Sequence, residues 1–238
     1  MEQNKASVTA LLATFLRAYH HAHDVPRIFE DALADRLLTP AERQSFQRVV
    51  TSALEELDPK LAASCRDPAT AIRESMRAGA SSAIILARAR YMEDKLSELL
   101  PLGIGQYVVI GAGFDTFVWR HPELQQTLRV FEIDHPATQN FKRSRLSEVD
   151  LAPPTNLHFV AADLERQSIS AVLESTPFDP QVPTYFAWPG VIPYLSRGSI
   201  YDTFRSIRTV APQGSYMVFD YLDRDVLGAN YNSSRFWS

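Results

Sequence analysis

Residues Gln106–Trp119 read QYVVIGAGFDTFVW. An apolar run, Tyr107–Ile110, meets Gly111-Ala112-Gly113, and the chain then turns polar through Asp115 and Thr116. A short β-branched run ending on paired glycines reads as a buried strand opening into a tight turn. A glycine at such a turn lets the backbone approach a ligand closely, because no Cβ intervenes. In open parallel sheets ligands sit outside the carboxyl ends of the strands. Gly111, Ala112 and Gly113 are therefore candidate cofactor residues, although a Gly-x-Gly alone also fits an ordinary turn.

Four further runs share this character: Leu128–Ile133, Leu157–Val160, Thr184–Trp188 and Tyr216–Phe219. The stretches between them are long enough to hold helices. Strands alternating with helices predict an α/β fold, a Rossmann-like, doubly wound, mostly parallel sheet with right-handed crossovers. Two of the runs end on acids. Asp134 closes VFEID about 20 residues beyond the glycine turn, the spacing at which a carboxylate accepts from ribose hydroxyls; a helix-capping acid is the alternative. Asp163, followed by Leu164, ends the next strand, where the pair suits an adenine amine and ring. The dinucleotide fingerprint calls for a third glycine, but Thr116 stands at that position. No phosphate loop of the Gly-Lys-Ser/Thr type follows either. A ligand without a pyrophosphate fits better, and S-adenosylmethionine is one. Its amino-acid end carries a carboxylate, which calls for an arginine fork. Arg88 and Arg90, in ARARY just before the first strand, are the candidates; solvated helix charges are the alternative.

Before Pro101 no strand is expected. Leu11, Leu12, Phe15, Leu16 and Tyr19 recur at helical spacing. Thr39-Pro40-Ala41-Glu42 is a capping box with proline at the first helical position, and Asp58-Pro59 and Asp67-Pro68 repeat the cap-plus-proline start. The last opens a helical stretch toward Leu100, with Gly79 a candidate break. The division expected is a helical, substrate-side lid over residues 1–100 and a cofactor-binding core over 101–238. His20, His23 and Asp24 share a face with metal-ligand chemistry, but without a further matching ligand a helix end is the better reading and no metal is expected.

The net charge of −4 and pI of about 5.9 argue against a non-specific nucleic-acid binder. One cysteine, Cys65, rules out an intramolecular disulfide. Neither a secretory signal nor an apolar run near the roughly 20 residues of a membrane span is present, so a cytoplasmic setting is expected.

Six stretches together resemble the leucine carboxyl methyltransferase-like class of S-adenosylmethionine-dependent methyltransferases: VTAL (8–11), IFEDALADRLL (28–38), ARARY (87–91), VVIGAGFDT (108–116), FEIDHPATQ (131–139) and FAWPGVIPYL (186–195). The resemblance implies that Arg88 holds the cofactor carboxylate, Gly111 faces the methionine part, Asp134 binds ribose, and Asp163 with Leu164 meets adenine. It implies an O-methyltransferase acting on a carboxylate of a small molecule or peptide. From their place at the fourth strand, Trp188 and Tyr194 are the candidate acceptor contacts, with a core position for Tyr194 the alternative. A carboxylate acceptor is ionised at neutral pH and needs no general base; an alcohol or phenol would need one, for which His135 and Tyr194 are weak candidates. Many members carry Glu where this chain has Pro189. After Tyr221 only Leu222–Ser238 follow, less than the roughly 30 residues of a βαβ unit, so the last strands of the sheet type are expected to be missing. The alternatives are a nicotinamide-dependent oxidoreductase and a cofactor-binding protein without turnover.

Overall fold

The structure is a computed structural model that describes residues 7–221; the expectation about strands after Tyr221 lies outside the described residues. In chain order the elements are α1 (Val8–His23), α2 (Pro40–Leu57), α3 (Pro59–Ser64), α4 (Pro68–Ala78), α5 (Ala80–Leu99), β1 (Gln106–Ile110), α6 (Phe117–Arg120), β2 (Arg129–Asp134), α7 (Pro136–Glu148), β3 (Leu157–Ala161), α8 (Ile169–Glu174), β4 (Thr184–Trp188), α9 (Arg197–Val210) and β5 (Tyr216–Phe219). Two compact units emerge. One is Ala10–Glu93 with Phe114–Thr116; the other is the rest of the described chain.

In the helical unit the expected starts are built as written. The Thr39 hydroxyl accepts from the Glu42 N–H while the Glu42 carboxylate accepts from the Thr39 N–H, the reciprocal box that satisfies two orphan donors. Asp58 and Asp67 cap α3 and α4 ahead of their prolines. The long stretch breaks at Gly79, between α4 and α5. Phe15 packs on Phe46 with ring centroids 5.9 Å apart, joining α1 to α2, and α2 packs on α3 and α4. Among the described residues no helix is long and apolar enough to cross a membrane.

Among the described residues the sheet unit carries five parallel strands in the order β3-β2-β1-β4-β5. Alternation along each strand sorts the side chains to two faces. Val108, Ile110, Phe131, Ile133, Val160, Phe186 and Trp188 form one buried face with Ile169, Val172 and Leu173 of α8 and Ile207 of α9. On the other face Tyr107 meets Phe117 of α6 edge-on at 5.1 Å, and Lys142 of α7 lies over Phe159. Helices thus cover both faces, the doubly wound arrangement. β1 sits between β2 and β4: the chain runs outward from β1 through β2 to β3, then crosses back to place β4 and β5 on the other side of β1. The crevice at the carboxyl ends of β1 and β4 is the topological switch point, where such sheets bind ligands.

Candidate cofactor site

The glycine turn is pinned to the end of β2. The N–H groups of Gly111 and Ala112 both donate to the Ile133 carbonyl, at 2.7 and 3.2 Å. One residue on, the Gly113 N–H donates to Asp134 Oδ2 at 2.5 Å, and the His135 N–H donates to Oδ1 at 2.6 Å. The Asp134 carbonyl accepts the Ala162 N–H from the end of β3 at 2.8 Å. Asp134 therefore links three strand ends. Burial pushes its carboxyl above the usual range, against the opposing pull of the two N–H donors and of the Lys142 and His135 charges. Each carboxylate oxygen accepts only one of these bonds, so capacity remains for further donors.

Gly111 has φ +73°, a left-handed conformation that favours glycine. A Cβ there would fall 2.1 Å from Val191 Cγ2. The space left by the missing side chain is filled by the protein's own turn after β4, so the close approach at this position is to Val191. That turn is itself tied down. The Gly190 N–H donates to Asp220 Oδ1 at 2.6 Å, and the Ser196 N–H to Glu165 Oε1 at 2.7 Å. Pro189, the departure from the family pattern, precedes this tethered glycine.

The other candidates are placed as follows. Asp163 is half-buried, and its Oδ1 accepts the Glu165 N–H at 3.1 Å within its own loop. Leu164 packs against the apolar face described above. Trp188 is wholly buried, edge-on to Phe204 at 5.3 Å, and its indole N–H has no partner among the described residues. Tyr194, on the turn after β4, is 47% exposed. The two acceptor candidates thus occupy different surroundings, one in the core and one at the surface. Arg88 is half-buried on α5 and belongs to the helical unit; Arg90 is exposed there and donates to the Ile28 carbonyl at 3.4 Å. His20 donates or accepts at both ring nitrogens, with Asp24 at 2.6 Å on Nδ1 and the Ile28 N–H at 2.8 Å on Nε2. Its ring is committed to closing the segment after α1.

Sequence reasoning passed over several buried polar partners, each within its own unit. In the helical unit Arg17 Nη2 donates to the Phe114 carbonyl at 2.8 Å, one residue after Gly113, while its Nε lies 3.5 Å from the fully buried Asp31. In the sheet unit Glu132 and Lys142 form an ion pair with side chains 2% and 1% exposed. Val191 and Asp220 fix the turn after β4. The signal for Asp31 was the run IFEDALADRLL, but nothing local separates Lys142 from its neighbour Arg143.

The profile of the leucine carboxyl methyltransferase family matches residues 10–208. The chain belongs to that family. As a family member it is a methyltransferase, and the oxidoreductase alternative has no support. A Bacillus subtilis (strain 168) relative, YktD, provisionally named an S-adenosyl-L-methionine-dependent methyltransferase, is 35% identical over 99% of this chain and 77% of its own length. A Mycolicibacterium vanbaalenii protein of the same provisional name is 32% identical over 58% of this chain, and the match spans 46% of that protein. Among solved structures, a duf574 family protein from Streptomyces avermitilis is similar in fold, with a TM-score of 0.52 over 90% of this chain and 68% of that one at 16% identity. In this methyltransferase-family chain the glycine turn, Asp134 and the turn after β4 converge on the switch point of the sheet.

Proposed function

We propose that this chain is an S-adenosylmethionine-dependent O-methyltransferase that methylates a carboxylate of a small molecule or peptide. The observation that carries the cofactor reading is Asp134, half-buried at the switch point and oriented by the Gly113 and His135 N–H groups. A carboxylate held from behind in this way keeps lone pairs for the vicinal hydroxyls of a ribose. Asp163 and Leu164, at the neighbouring strand end, take the adenine side. Gly111, Ala112 and Gly113 take the methionine side. The residues present suit a nucleoside without pyrophosphate, since Thr116 occupies the place of the third glycine.

The cofactor supplies an activated methyl group on sulfonium. The chain's own task is to orient the acceptor in line and to exclude water. A carboxylate acceptor suits what these residues offer, because it is already ionised near neutral pH. His135 Nδ1 accepts the Ala137 N–H at the start of α7, a capping role in place of a base. Tyr194, exposed on the turn after β4, is assigned to acceptor contact. Trp188 belongs to the buried cluster against which Val191 and Ile192 of that turn pack, and its part is to back the turn from the core.

The test is parallel calorimetric titration with S-adenosylmethionine, S-adenosylhomocysteine and NAD, followed by an acceptor screen read as methanol released by mild base. Saturable binding of the first two, weakened by Asp134→Ala, and a base-labile methyl ester are the expected results. NAD binding alone sinks the cofactor reading; a base-stable methylated product sinks the carboxylate.

A further inference from the structure

The structure places an ion pair, Glu132–Lys142, where its worth to stability is small. Lys142 Nζ lies 2.5 Å from Glu132 Oε2, and both side chains are almost fully removed from solvent. Taking two charges out of water costs several kcal/mol each, and apolar replacements of buried pairs are often neutral or stabilising. What such a pair does supply is directional registration. Glu132 and Asp134 are alternate residues of β2 and project to the same face, the one α7 covers. The Lys142 ammonium is also enclosed by aromatic faces, 5.5 Å from the Trp119 ring and 5.8 Å from the Phe159 ring. One turn earlier on α7, Gln139 Nε2 donates to the Glu132 carbonyl at 3.1 Å. Helix α7 is therefore fastened to β2 by a side-chain pair and a side-chain-to-carbonyl bond, both at Glu132, two residues before Asp134.

The only chain between that fastening at Glu132 and the helix start at Pro136 is Ile133-Asp134-His135. His135 is the N-cap of α7 and also donates its N–H to Asp134 Oδ1 at 2.6 Å. Sliding or tilting α7 on β2 moves the His135 N–H and with it one of the two bonds that aim the Asp134 carboxylate. We propose that the Glu132–Lys142 pair is a positioning device for Asp134, fixing the strand-to-helix junction so that the carboxylate faces the ribose hydroxyls of the cofactor. The charged groups around Asp134 are Lys142 from α7, His135 at its cap and Glu132 on its own strand. The Lys142 charge also favours the ionised carboxylate, in the same sense as the positioning. This inference rests on the assignment of Asp134 to the ribose.

Removing Lys142 alone takes away the buried counter-charge of Glu132 and endangers the fold, so the informative variant is the neutral pair Glu132→Gln/Lys142→Met. Its affinity for S-adenosylhomocysteine is measured by calorimetry in the full chain, in the parent background and with Asp134→Asn, beside thermal unfolding of each variant. Expected is a cooperative unfolding transition close to the parent's and binding weakened about ten-fold, the scale on which partners that orient a ligating group act. In the Asp134→Asn background the same pair change is expected to have little further effect. Parent-like affinity in the neutral-pair variant overturns the proposal. So does an equal loss in both backgrounds, since the pair would then act elsewhere. Parent-like affinity of Asp134→Asn itself removes the ribose assignment, and the inference falls with it.

Discussion

Replacing Gly111 with alanine tests how tightly the switch point is built. Two costs are visible. The residue sits at φ +73°, and an L-side chain in that left-handed region costs about 1–2 kcal/mol. The new Cβ would fall 2.1 Å from Val191 Cγ2 and 3.4 Å from Val191 Cβ, whereas carbon atoms rest at about 3.5–4.0 Å. An overlap that large is not absorbed by small shifts. Val191 must change rotamer or its turn must move, and the Gly190–Asp220 and Ser196–Glu165 bonds resist the second. Overpacking of this kind costs about 1–3 kcal/mol. Together Gly111→Ala is expected to lose roughly 2–5 kcal/mol, a fall in Tm of roughly 4–20 °C at about 2–4 °C per kcal/mol for a chain of this size. Urea and thermal unfolding of Gly111→Ala, Val191→Ala and the double variant form the assay. Val191→Ala relieves the overlap but leaves the dihedral, so the cycle should show a favourable coupling of about 1–3 kcal/mol, with a residual near the dihedral cost. Additive effects, or a Gly111→Ala protein as stable as the parent, would refute the reasoning.

The remaining predictions concern charge and capping. Burial raises the Asp134 carboxyl above its ordinary value of 3.8, so the folded state favours the protonated acid. Its contribution to stability is fully present below that value and is lost as pH rises through the raised one. Cofactor binding needs the ionised form and runs the other way. S-adenosylhomocysteine affinity should fall on acidification at a pH above the ordinary carboxylate range, and Asp134→Asn should flatten that dependence in a calorimetric pH series. Asp31→Ala leaves Arg17 buried without its carboxylate. Breaking a buried pair costs about 3–5 kcal/mol, so denaturant unfolding should show a large loss, and a change below about 1 kcal/mol would contradict the assigned role. Thr39→Ala removes the hydroxyl half of the capping box on α2 and should cost about 1 kcal/mol in the same assay, with Thr39→Ser close to the parent.

Much of the fold was legible because it follows from local rules. The capping box at Thr39 and the Asp-Pro starts at 58 and 67 specify helix beginnings through groups within four residues of one another, and all three form as written. The strand runs were legible because β-branched and aromatic residues cluster between turn signals, and each run matches its strand to within a residue at either end. That Gly111, Gly113 and Asp134 stand together could be read because their spacing encodes one strand end meeting the next. Lys142 could not. On a helix reading PATQNFKRSRLSE, Lys142 and Arg143 look alike, and only the packing of α7 on β2 buries the first and exposes the second. Trp188 shows the same limit: an acceptor contact was expected there, and what covers its side chain at the end of β4, between β1 and β5, is set by packing alone.

By itself, then, the sequence determined the element types, the parallel alternation, and which residues would stand at the strand ends, because dihedral preference, capping and periodicity act over a few residues. Tertiary structure decided what those residues meet. Val191 fills the space beside Gly111, Asp220 holds Gly190, and Lys142 pairs with Glu132 beneath aromatic rings. These partners come from separate elements brought together by the order β3-β2-β1-β4-β5. Burial, hydrogen-bond partners and charge environment depend on distances in space, which no local pattern of residues encodes.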